Sequence, residues 1–151
     1  MTFSDFDPIR APGSARSASD SVAGAPLTWW HTLPPGALNL TAQRRLRADL
    51  LALTPPPLPD WDAACRANPA AAVRAALTAL AHALARPEHL EAAMSAVLLC
   101  AALGDPACAA LLAHVLGRRA RRRADLDALH LAHGWRRYSG ARLSAPPVPG
   151  R

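Results

Sequence analysis

Residues 68–106 read NPAAAVRAALTALAHALARPEHLEAAMSAVLLCAALGDP, and three Xaa-Pro pairs cut the stretch: Asn68-Pro69, Arg86-Pro87 and Asp105-Pro106. The prolines stand 18 and 19 residues apart. Proline suits the first position of a helix, where the N–H it lacks has no intrahelical partner and its fixed φ is already helical. Asn68 and Asp105 lie one residue earlier, where a side-chain oxygen caps free N–H groups. Ala and Leu, strong helix formers, fill most of the space between. The spacing marks successive helix starts, and turns this short make neighbouring helices antiparallel. The fold class follows: all-α, a compact bundle or a short α-solenoid-like stack of five to six antiparallel helices with a disordered N-terminal leader.

Working outward, residues 1–26 are rich in Ser, Ala, Gly, Pro and Asp and show no hydrophobic period, so they read as the leader. A helical domain spans 27–143, and 144–151 form a flexible tail. Trp29-Trp30 points two indoles in different directions, and at least one anchors the leader on the helical body. A first helix runs from Thr41, its N-cap, to Leu53, with Leu46, Leu50 and Leu53 on one stripe. Asp60 caps a short helix through Trp61 and Cys65. In the helix from Pro69 to Arg86, Val73, Leu77, Leu80 and Leu84 form the apolar face. The helix from Pro87 to Leu103 is apolar almost all round, which puts it at the centre of the domain, and Gly104 closes it. A last helix starts at Pro106 and either continues through the Arg cluster to His133 with a weak point at Gly117, the favoured reading, or breaks at Gly117 and restarts with Asp125 as its cap. Gly134 ends it, and Ser139-Gly140 begins a loose end.

The paired Pro intervals come near the two-helix unit of tetratricopeptide and HEAT repeats. Over one helix, Asn68-Pro69-Ala70-Ala71-Ala72-Val73-Arg74-Ala75-Ala76 resembles the second half of a HEAT unit. The Val-Arg pair has no second copy and the tetratricopeptide Trp/Gly/Tyr signature is absent, so the likeness is one of local helix chemistry.

Charge is spread unevenly. The chain of 151 residues has a formal net charge of +6, and every one of its 17 basic residues is Arg. Residues 1–113 hold eight Arg against nine Asp and Glu, a balance of −1; residues 114–151 hold nine Arg against two Asp, a balance of +7. A basic end on a neutral body points to an acidic partner. Cys65, Cys100 and Cys108 make no disulfide framework and fit a reducing cytosol; the expected location is cytoplasmic. No signal peptide is legible. Residues 92–117 are nearly all apolar, but Gly104-Asp105-Pro106 divides them into halves too short to cross a bilayer.

The candidate contact residues are Arg118, Arg119, Arg121, Arg122 and Arg123, together with Trp135, Arg136, Arg137 and Tyr138. Five Arg in six positions make a basic collar past an apolar helix, able to meet phosphates or carboxylates. Trp135 and Tyr138, set beside Arg, can stack on bases. On the opposing view the collar is a solvated helix end, with Asp125 and Asp127 offsetting part of its charge. His130 and His133 share a helix face at i, i+3, yet no metal-ligand spacing accompanies them. No nucleophile elbow, phosphate loop or activated thiol is present, and most carboxylates fall at helix starts. No cofactor, metal site or catalytic residue is therefore expected. The reading is a non-enzymatic helical adaptor or accessory subunit that binds another protein. Phe3, Phe6 and Ile9 in the leader are able to fold on binding. Nucleic-acid binding through the same basic surface is the alternative, and a metal or ligand carrier using His130 and His133 is a further one.

Overall fold

The Asn68 carboxamide accepts the Ala71 N–H at 3.0 Å, and the Asp105 carboxylate accepts the Cys108 N–H at 2.8 Å. The expected caps thus close the first turns that Pro69 and Pro106 begin. The structure is a computed structural model that describes residues 25–144. A 3-10 helix, Pro26–His31, precedes α1 (Leu40–Ala52), α2 (Trp61–Cys65), α3 (Pro69–Ala81), α4 (Pro87–Ala102), α5 (Pro106–Arg123) and α6 (Leu126–Ser144). No strand occurs among the described residues. The expected leader lies outside them except for Ala25 and Pro26, and the expected tail lies outside them except for Ser144.

α4 is the centre. Ala92 through Ala101 are all buried, and the helix packs against α1, α2, α3, α5 and the 3-10 helix. Contacts with so many partners describe a bundle around one helix, whereas each unit of a solenoid meets only its neighbours. Gly104, at φ +107°, turns the chain out of α4, and the N–H of Asp105 returns to the Cys100 carbonyl at 3.1 Å. α5 then runs back along α4. α6 returns along α5, so that near its end the Ser139 hydroxyl donates to the Pro106 carbonyl at the start of α5, 2.9 Å away. Trp29 and Trp30 are both buried and fix the 3-10 helix on α4, where the Trp30 indole N–H donates to Glu91 at 3.3 Å.

Several local expectations are corrected. Asn39, not Thr41, caps α1, accepting the Ala42 N–H at 2.8 Å. Asp60 makes no cap on α2; it sits at φ 52° and its carboxylate holds Arg74 of α3 at 2.6 Å. α3 stops at Ala81, five residues early. The bulky residue before Pro87 is pushed out of helical geometry, and residues 82–86 form a turn instead. α3 also buries a different face from the one expected. Ala71, Ala72, Ala75, Ala76 and Ala79 are inside, while Leu77 is 54% and Leu84 99% exposed. The small side chains let α3 lie close on α4, and of the expected stripe Val73 and Leu80 pack partly buried against the core.

The last helical stretch is two helices, and the alternative reading holds for its Asp125 cap but not for the place of the break. The break falls at Ala124, which adopts φ 52°, and Asp125 caps α6 by accepting the Ala128 N–H at 3.1 Å. Gly117 stays helical and buried. Gly134 does not end a helix; it lies inside α6, close to Pro35 in the turn before α1. Ser139 and Gly140 belong to α6 and not to a loose end. Among the described residues no helix is long and apolar enough to cross a membrane.

Candidate functional site

α5 carries two rows of residues at i, i+4 spacing: His114-Arg118-Arg122 and Val115-Arg119-Arg123. Both rows face a groove of about 430 Å³ whose other wall is the end of α3, the turn after it and the start of α4. Leu80, Leu84, Pro87 and Leu90 supply that wall, and Trp30 lies on the floor. The α3–α4 turn decides the shape. By ending α3 at Ala81 it swings Leu84 off the helix and leaves it 99% exposed at the groove's edge.

The groove is apolar within and cationic along one rim. The Arg119 guanidinium stands 5.8 Å from the centre of the Trp30 ring, a cation–π contact that holds the side chain over the floor. Among the described residues no carboxylate pairs with Arg118, Arg119, Arg122 or Arg123. Asp125 uses one carboxylate oxygen to cap α6, and among the described residues neither it nor Asp127 forms an ion pair with the collar. Among the described residues the one acid lining the groove is Glu91 of α4, which accepts from the Trp30 indole and stands 3.4 Å from His31. Arg121, Arg122 and Arg123 also fill the last turn of α5, where positive charge favours the helix dipole. That dipole accounts for a basic helix end but not for its placement against exposed leucine.

The nine candidate contact residues separate in space. Arg118, Arg119, Arg122 and Arg123 line the groove, while Arg121 lies beside it over Gly117. Arg136 and Arg137 line another, shallow cleft of about 420 Å³ on α6 with His130 and His133. Two guanidinium groups there oppose a cation, and among the described residues no three His, Cys, Asp or Glu side chains converge. Trp135 is removed from the contact set: it is a core residue, 1% exposed, with its indole N–H on the Leu33 carbonyl. Tyr138 is half-buried, edge-on to Trp135 at 5.5 Å and covered by Arg142. Neither ring is free to stack on a base.

Leu80, Leu84, Leu90 and Val115 escaped the sequence reading as site residues because apolar periodicity assigned the leucines to buried stripes. The two i, i+4 rows on α5 were the available signal. The three cysteines are free thiols and all buried. Burial, with a smaller push from Asp62, raises the Cys65 thiol to about 11. A hydrogen bond with Cys100, and burial, hold Cys108 protonated. Neither is an activated nucleophile.

No family model matches this chain, and no curated protein or solved structure is significantly similar to it.

Proposed function

We propose that this protein is a non-enzymatic adaptor or accessory subunit whose groove between α3, α4 and α5 holds an acidic, apolar segment of a partner protein. One observation carries the reading: Leu84, 99% exposed, shares a groove with four arginines that no carboxylate among the described residues pairs. Burying a leucine side chain yields about 1.5–3 kcal/mol. Arginines at the rim of an apolar patch steer an acidic partner in and set its register. An amphipathic segment laid in a groove uses both.

The nucleic-acid alternative draws on the same charges, but its stacking residues are spent: Trp135 is core and Tyr138 is packed on it. An apolar wall of Leu80, Leu84 and Leu90 offers nothing to a phosphate backbone. Free thiols at all three cysteines suit the cytoplasm expected from the sequence.

Affinity purification of the tagged protein from its own cells, with and without nuclease, tests the proposal. A stoichiometric protein is expected to survive nuclease and to be lost at least about tenfold from Leu84→Asp, the change worth some 1.4 kcal/mol. Leu84 is solvent-exposed, so the variant keeps its fold. Retention of every co-eluting protein by Leu84→Asp and by Arg122→Glu/Arg123→Glu sinks the groove reading. Co-elution that vanishes with nuclease moves the assignment to nucleic acid.

A further inference from the structure

Both phenylalanines and the single isoleucine of the chain fall within residues 3–9, Phe3-Ser4-Asp5-Phe6-Asp7-Pro8-Ile9. The same seven residues hold two aspartates and no arginine. Phe3, Phe6 and Ile9 recur every third position, a spacing that sets side chains on one side of a three-residue-per-turn polyproline helix. Asp5 and Asp7 fall between them. A segment that interleaves apolar residues with carboxylates complements a groove with Leu80, Leu84 and Leu90 on one wall and Arg118, Arg119, Arg122 and Arg123 on the other.

We infer that residues 3–9 of this chain are a ligand of its own groove and occupy it until a partner displaces them. The inference rests on reading the groove as a site for an acidic, apolar segment, and adds its resident occupant. Residues 3–9 lie outside the described residues, and their charge, composition and reach match the groove. Trp30, on the groove floor, is one short 3-10 helix from Ala25, about 10 Å along the axis. Residues 10–24, the tether, can span up to about 50 Å. A tether of that length presents its ligand at an effective concentration on the order of millimolar. Even a ligand whose separate peptide binds at about 0.1 mM then fills the groove most of the time. Two aspartates against four arginines leave the rim partly unneutralised, so a partner segment with more carboxylates can compete.

The test uses the full chain and a fluorescein-labelled peptide copying residues 1–12, followed by fluorescence anisotropy. Phe3→Ser/Phe6→Ser empties the groove without touching the helical body. The peptide is expected to bind this variant and to bind the unaltered chain at least about tenfold more weakly, since there the tethered copy competes. Adding Leu84→Asp to the emptied chain is expected to abolish binding. Equal affinity for the emptied and unaltered chains overturns the inference, as does no binding to the emptied chain, or binding that survives Leu84→Asp. Such a failure leaves the partner reading intact, because co-purification with Leu84→Asp does not involve residues 3–9. Peptide binding as expected, with every cellular partner retained by Leu84→Asp, removes the partner reading alone.

Discussion

The indole N–H of Trp135 donates to the backbone carbonyl of Leu33 across 3.2 Å, joining residues 102 positions apart and tying α6 to the segment that follows the 3-10 helix. The ring itself is 1% exposed. Trp135→Ala removes a large buried side chain and should lower stability by about 3–5 kcal/mol. Trp135→Phe keeps most of the packing but leaves the carbonyl unpaired, for about 1–3 kcal/mol. Urea denaturation separates the two; a shift below 1 kcal/mol for Trp135→Ala contradicts a core role.

The α3–α4 contact is made by alanines. Ala75 is fully buried, so Ala75→Leu forces the helices apart and should destabilise by about 1–3 kcal/mol. Leu77, on the face the sequence pattern favoured, is 54% exposed, and Leu77→Ala should stay within about 0.5 kcal/mol. Thermal melts of the two variants give opposite rankings if the Leu stripe is the buried one.

Adjacent residues at the α5–α6 turn should respond with opposite signs. Ala124 holds φ 52°, a left-handed conformation that disfavours a side chain by roughly 1–2 kcal/mol. Ala124→Gly relieves it and, after the entropy of glycine in the unfolded chain, should stabilise by up to about 1 kcal/mol. Asp125→Ala removes the α6 cap and should destabilise by about 1 kcal/mol. A continuous helix through this point predicts the reverse for glycine, because glycine inside a helix is unfavourable.

The Cys65 thiol is raised from its ordinary 9.0 to about 11, chiefly by burial. The folded form therefore binds the proton more tightly than the unfolded one, and this contribution to stability is whole below pH 9 and lost as pH rises through 11. Urea midpoints should fall between pH 9 and 11, and Cys65→Ala should flatten that decline. At pH 8 iodoacetamide should modify the native protein far more slowly than the urea-unfolded chain. Fast native labelling of Cys65 is incompatible with its burial.

Much of the fold was legible because helix starts are written locally. Asn68-Pro69 and Asp105-Pro106 carry their own cap and first turn, and the apolar run of α4 declares its burial whatever surrounds it. Helix ends were less legible. Whether residues 82–86 continue α3 depends on how the following helix docks; at the α5–α6 break Asp125 marked the restart locally, but nothing local placed the break at Ala124 and not at Gly117. The site was legible in part for the same reason: the Arg rows on α5 can be counted, but the wall they face comes from another helix.

By itself the sequence determined the all-α class, the starts of α3, α4 and α5, the central helix and the basic end, since capping, proline geometry and hydrophobic content act within a few residues. Only the tertiary structure decided that alanines rather than leucines fill the α3–α4 contact, that Trp135 belongs to the core and not to a binding surface, and that Leu84 shares a groove with four arginines. Those outcomes turn on how closely two helices can approach and on which way a short turn sends the chain. Close packing of distant segments sets both, and a periodic pattern read along one helix does not contain it.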